Sequence, residues 1–181
     1  MSELDPGVQR QLEALGIAHQ VLDCNPEWAD TDAFCANYDI PRENAANAIV
    51  VAAKTEPKRY VACLVLSTTK LDVNHKVSKL MGIKRLSFAS AEETKELTGQ
   101  LIGGVTVFGL PEGVPVYLDA RLMEREYVIV GGGNRSTKIK LPPDELRKLP
   151  GAEVADIAVP RSPIQPPRPD VESAKQQGEK R

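Results

Sequence analysis

Two apolar runs, Ala48–Ala53 and Tyr60–Leu66, constrain this chain more than any other feature. Neither alternates between apolar and polar residues, so each reads as a strand buried on both faces. Glu56-Pro57-Lys58 lies between them, and so short a polar link makes a hairpin the economical connection. A hairpin at the centre of a sheet argues against a purely parallel, doubly wound architecture. Helical patterns interleave with the strands. Asp5-Pro6 opens a first helix with Val8, Leu12 and Leu15 on one face and Gly16 at its end. Thr31 is expected to cap a second helix, running to about Tyr38, with Ala33, Phe34 and Tyr38 as its buried side. Asp72 starts a third helix carrying Val73, Val77, Leu80 and Met81, and Gly82 stops it. Ser90 and Glu93 form a capping box for a fourth, which ends at Gly99.

Shorter strands are expected at Ile17–Leu22, Leu86–Phe88, Val114–Leu118, Tyr127–Val130, Thr137–Leu141 and Val154–Ile157, with a short helix opened by Pro142-Pro143-Asp144. The expected fold is mixed α/β (α+β): a curved, barrel-like mixed β-sheet with helices packed outside. A length of 181 residues fits one domain with trimmings. That domain is expected over residues 1–159. Five of the fourteen prolines fall in 160–181, where apolar residues nearly vanish, so this segment is expected to be a disordered tail.

Several function classes drop out. With a net charge of −2 the chain is no bulk polycation, although Lys76–Arg85 holds four basic residues and no acidic one. Its three cysteines, Cys24, Cys35 and Cys63, have neither the even count of a disulfide framework nor the spacing of a zinc site. No metal or cofactor is expected. No apolar stretch reaches the ~20 residues of a membrane span, and no signal peptide is evident at the start. The expectation is a cytoplasmic protein with no membrane partner. His19 and His75 have no Ser or Cys partner at a suggestive spacing, which disfavours nucleophilic catalysis.

The remaining signal is a pair of glycine-rich stretches about thirty residues apart, Thr98–Gly109 and Val130–Ser136. Glycine lets backbone N–H groups approach a ligand closely. Gly103 and Gly104 alone would read as a tight turn between helix and strand, and Gly131–Gly133 as a hairpin turn. The second stretch is not a phosphate loop, because no Gly-Lys-Ser/Thr follows and Lys138 comes too late. Two such loops beside apolar runs suggest a site walled by backbone.

In order and spacing the chain resembles the YbaK/EbsC and prolyl-tRNA-synthetase-associated domain family from the first helix to Ala158. The pieces are the Ala48–Ala53 strand, the Leu71-Asp72 helix start, Thr98-Gly99-x-x-x-Gly103-Gly104-Val105-Thr106-x-x-Gly109, the Val116–Asp119 strand, and Gly132-Gly133-Asn134-Arg135 before Ile139–Leu141. The resemblance implies hydrolysis of a wrong amino acid from the 3′ end of aminoacyl-tRNA, without a metal. It implies the aminoacyl-tRNA 3′ end as partner, and an aminoacyl-tRNA synthetase as a second candidate. Backbone N–H groups of Gly103, Gly104, Val105 and Thr106 would receive the oxyanion. Gly132, Gly133, Asn134 and Arg135 would shape the other wall, with Arg135 able to pair with a phosphate. Asp119, at a strand end, is a further candidate for substrate binding or a turn residue.

The chain departs from the family pattern twice. Many members carry a functional lysine where this chain has Asn47, which can position a water or the ester but brings no charge. Their loop proline is Val107 here. A site rebuilt around Asn47, a weak activity and a binding relative all follow as readings. Lys54, Lys70 and Arg135 are the expected sources of a replacement charge.

Overall fold

The computed structural model describes residues 2–161. The elements in chain order are α1 (Pro6–Ala14), β1 (Gln20–Asp23), α2 (Thr31–Tyr38), β2 (Ala46–Ala53), β3 (Arg59–Leu66) and β4 (Thr69–Leu71). A wide π-type turn (Val73–Val77) then leads into α3 (Ser78–Met81), followed by β5 (Leu86–Phe88), α4 (Ala91–Thr98), β6 (Val116–Asp119), β7 (Val128–Gly131) and β8 (Thr137–Leu141). The described chain ends in β9 (Ala152–Ala155) and β10 (Ala158–Pro160). This is the mixed α/β architecture the sequence implies. Its strands are divided among sheets of five, three and two strands, ordered β5-β2-β3-β6-β9, β1-β8-β7 and β10-β4, and no closed barrel forms among the described residues.

The β2–β3 hairpin is antiparallel, with Ala53 opposite Arg59, and it occupies the middle of the largest sheet. β3 explains the continuous apolar run. Its residues alternate between two cores: Ala62, Leu64 and Leu66 join one, and Val61, Cys63 and Val65 the other. The first core lies under α1, where Val8 and Leu12 meet Leu118, Val130, Ile139 and Leu141. The second is closed by Leu71, Val73, Val77, Tyr117 and Ile157. Each face of β3 therefore needs its own cover.

Local signals set several boundaries. The Asp5 carboxylate accepts from the N–H groups of Gly7 and Val8 and starts α1. Ser90 and Glu93 make the expected capping box of α4, which ends at Gly99 in the left-handed region (φ +70°). Other expectations shift. The first strand pairs only over Gln20–Asp23, opposite Thr137–Lys140 of β8. The N-cap of α2 is Asp30, not Thr31. The expected third helix is a π-type turn running into α3, and this leaves Leu80 exposed. The single last strand is two, and β10 pairs with β4, a strand without an expected counterpart. Arg161 N–H donates to Thr68 O beyond it. The rest of the expected proline-rich tail lies outside the described residues. No helix among the described residues is long and apolar enough to cross a membrane.

One junction positions the site. Ala45, just before β2, bridges in parallel to Ile129 of β7, so the five-stranded and three-stranded sheets abut at the start of β2.

Candidate functional site

A cleft of about 490 Å³ opens at this junction. β2 contributes Asn47, Ala48 and Ile49, the first glycine loop contributes Gly103 and Val105, and the β7–β8 hairpin contributes Gly131 and Lys138. Phe88 and Ile102 stand at its edge, both largely exposed.

The two glycine loops are interlocked. Gly133 N–H donates to Gly104 O at 2.7 Å, and Leu101 N–H donates to Gly133 O at 3.3 Å. The approach is too close for side chains. A Cβ on Gly104 would lie 1.9 Å from Asn134 O, and one on Gly131 would lie 2.5 Å from Gly104 O. Glycine is required here for space, not for an unusual φ.

A buried glutamine holds the first loop. Gln100 Oε1 accepts from Thr106 N–H at 3.0 Å, and its Nε2 donates to Phe108 O at 2.7 Å. Gln11 of α1 takes the Gly109 N–H at 2.7 Å. With its ends fixed, the loop presents a defined set of amides. Gly104 N–H is occupied by Leu101 O (2.9 Å) and Thr106 N–H by Gln100. Gly103 and Val105 N–H have no hydrogen-bond partner among the described residues, and these two residues line the cleft. The peptide carbonyls behind them are anchored: Ile102 O accepts from Arg135 Nη1 at 2.8 Å, and Gly104 O from Gly133 N–H. In a trans peptide N–H and C=O point in opposite directions, so both free N–H groups are aimed away from the second loop.

The expected site residues therefore separate. Asn47, Gly103 and Val105 line the cleft. Gly104 is the contact between the loops. Thr106 is buried, and its hydroxyl has no partner in the structure. Gly132 and Gly133 pack toward the start of α1: Gly132 O accepts from Asp5 N–H at 3.2 Å, and a Gly133 Cβ would meet Asp5 Cβ at 2.5 Å. Asn134 closes its own turn, accepting from Ser136 N–H and the Thr137 hydroxyl, and it donates to Glu3 O. Arg135 Nε and Nη2 donate to Pro26 O while Nη1 reaches Ile102 O, so the guanidinium ties three segments together. Asp119 stands outside the cleft. Its carboxylate is fully buried, accepts from Ile157 N–H at 3.1 Å and pairs with Arg121.

Asn47 is oriented by a residue expected to do something else. The Thr31 hydroxyl donates to Asn47 Oδ1, which leaves the Asn47 amide N–H₂ free of described partners. Of the three expected replacement cations, Lys70 lines the cleft; Lys54 and Arg135 do not. The buried cation is Lys138. Its Nζ donates to Ala29 O and to Gly103 O (2.9 Å) and lies 5.5 Å from the Phe34 ring centre. Burial holds its pKa below the usual lysine range, opposed in part by the Asp30 carboxylate. All three thiols are pushed up by burial, Cys63 to about 12, so none is a ready thiolate.

Sequence reasoning missed Gln100 and Lys138. Nothing local marks Gln100. Thr-Lys-Ile-Lys-Leu in β8 carries no local sign that its first lysine is buried; Ala29, Phe34 of α2 and Gly103 of the glycine loop, all distant in sequence, surround it.

A family profile described as "Aminoacyl-tRNA editing domain" matches residues 25–149. Over 109 residues the chain is 27% identical to EbsC of Enterococcus faecalis, a candidate Cys-tRNA(Pro)/Cys-tRNA(Cys) deacylase, covering 60% of this chain and 64% of EbsC. It is 33% identical over 99 residues to the uncharacterized YwhH of Bacillus subtilis, covering 55% of this chain and 62% of YwhH. The chain thus spans a little under two thirds of the length of both. A proline–tRNA ligase of Burkholderia multivorans is 31% identical over 133 residues, covering 73% of this chain and 23% of the ligase. Among solved structures, a hypothetical protein superposes with a TM-score of 0.76 at 25% identity, over 84% of this chain and 99% of its own. A candidate trans-editing enzyme for prolyl-tRNA synthetase gives 0.74 at 28% identity, over 87% and 99%.

Proposed function

Because the chain belongs to the aminoacyl-tRNA editing domain family, we propose that it hydrolyses the ester bond of mischarged aminoacyl-tRNA, acting in trans. One observation carries the reading: Gly103 and Val105 line the cleft, and their N–H groups have no hydrogen-bond partner among the described residues while their peptides are anchored from behind. Such donors suit a carbonyl oxygen that gains negative charge. An aminoacyl ester is already activated, so positioning and oxyanion stabilisation carry much of the barrier.

In this reading the ester carbonyl oxygen faces the two amides, and the Asn47 N–H₂ holds the ester or the attacking group. A water oxygen, or the neighbouring ribose hydroxyl, attacks the carbonyl carbon and displaces the π electrons onto oxygen. Collapse breaks the bond from the acyl carbon to the ribose oxygen, which leaves with a proton as the free hydroxyl. When the ribose hydroxyl attacks first, water cleaves the resulting ester in the same way. Exposed Lys79, Lys84 and Arg85 lie on the segment joining Leu71 and Phe88, both cleft residues, and would meet the nucleic-acid backbone. The trans-acting form of the reading rests on the likeness to the candidate trans-editing enzyme.

The test is a panel of tRNAs mischarged with small amino acids. Hydrolysis above the buffer rate for at least one is expected; none for any would end the reading. A second reading, a module that binds aminoacyl-tRNA or a synthetase without turnover, is favoured by Asn47, which brings no charge. Binding of an uncleaved mischarged tRNA would select it.

A further inference from the structure

Lys138 is 6% exposed and lines the cleft, yet its ammonium touches no carboxylate within ion-pair distance among the described residues. The charged and titratable groups around it are Asp30, Arg135, Cys24 and Cys35. The Asp30 carboxylate is largely exposed and lies 3.5 Å from Arg135. The two cysteine thiols are neutral, because burial raises them. At hydrogen-bonding range among the described residues its ammonium meets the carbonyls of Ala29 and Gly103, with the Phe34 ring nearby, so burying this charge costs stability. Its place is informative. The carbonyl it holds at 2.9 Å belongs to Gly103, between the two unpartnered amides, and Lys138 and Gly131 are cross-strand partners in the hairpin behind that loop.

We propose that Lys138 is a positioning residue for ester cleavage: its ammonium fixes the Gly103 peptide and sets a positive charge beside the Gly103 and Val105 amides, where the oxyanion forms. This rests on the deacylase reading and deepens it. The charge acts in a site partly shielded from water, where it is screened less than at the surface. It stabilises the transition state more than the neutral ester, so its loss lowers kcat and leaves KM nearly unchanged. Asn47 cannot supply this effect, having no charge. Only the protonated amine has it, so the turnover advantage disappears as pH rises through the lowered Lys138 pKa.

The experiment compares the whole chain with Lys138→Met and Lys138→Gln, using a mischarged tRNA that the unaltered protein cleaves. The methionine removes charge and tether together and leaves the Ala29 and Gly103 carbonyls without this donor. The glutamine keeps a donor for Gly103 O, separates the tether from the charge, and decides the question if the methionine variant does not fold. Expected for the methionine variant are a kcat reduced about 100-fold, a KM within about threefold, and loss of the high-pH decline in kcat that the wild type shows against the same substrate. The glutamine variant should lose at least about tenfold in kcat. A folded variant of either kind with wild-type kcat and pH profile would overturn the proposal while leaving the deacylase reading intact. If the unaltered protein cleaves no mischarged tRNA, the deacylase reading fails and takes this role with it.

Discussion

Gly104→Ala puts the smallest side chain into the contact between the two glycine loops. The new Cβ would lie 1.9 Å from Asn134 O, 2.4 Å from Asn134 C and 2.8 Å from Asn134 N. All three are main-chain atoms, so no side chain can swing away. Ordinary contact is near 3.5 Å, so the loops must part by roughly 1.5 Å. That movement breaks the bond from Gly133 N–H to Gly104 O, now 2.7 Å long. Overpacking costs about 1–3 kcal/mol and the lost hydrogen bond about 1 kcal/mol. A destabilisation of about 2–4 kcal/mol corresponds to a fall of roughly 5–15 °C in thermal midpoint for a domain of this size. The Val105 amide belongs to the displaced peptide, and a misplacement of this size lowers a positioned reaction by about 100-fold. Circular dichroism melting and deacylation of a mischarged tRNA read both effects. Gly113→Ala is the control: its φ of +85° makes alanine strained, but nothing lies within 4 Å of the added carbon. It should lose some stability and no rate constant. A Gly104→Ala protein that melts within about 2 °C of wild type at full rate would refute the interlocked contact and the amide assignment with it.

Two further outcomes follow from named contacts. Thr31→Val removes the hydroxyl that holds Asn47 Oδ1 and should lower kcat/KM about tenfold, with a stability change of about 1 kcal/mol; an unchanged kcat/KM would show that the Asn47 amide needs no orientation. The lowered Lys138 pKa makes stability depend on pH. Between its folded value and the unfolded value of 10.5 the unfolded chain binds one more proton, so unfolding free energy rises with pH there, by up to about 1.4 kcal/mol per unit. Denaturant titrations across that window should show the slope in wild type and not in Lys138→Met; equal slopes would contradict the burial of a charged amine.

Much of the fold was legible because it rests on local periodicity. The runs around Pro57 could be assigned to the sheet centre, since a strand apolar on both faces must be covered twice, and β3 divides its side chains between two cores. Thr137–Leu141 and the Ser90 capping box came out as expected for the same reason. The misreadings arose where a residue's partner is distant. Thr31 has the chemistry of a cap, but β2 passes close enough for its hydroxyl to find Asn47. Leu80 fits a helical stripe by spacing, yet the π-type turn before it adds residues to one turn and rotates it outward. In the site, the glycine loops were visible because only glycine tolerates such close approach. Which of their amides are free was not, since that depends on a glutamine four residues ahead of Gly104 and on the Leu101 carbonyl turning back onto Gly104 N–H.

The junction of the two sheets gives the cleft walls of different kinds, with consequences for redesign. One wall is largely main chain, held in shape by hydrogen bonds from the side chains of Gln100, Arg135 and Lys138. Side chains of Ala48, Ile49, Leu71 and Thr94 also line the cleft, and of these Leu71 and Thr94 are buried. Changes confined to Ala48 and Ile49 would reshape the cleft without touching the side chains that hold the first glycine loop.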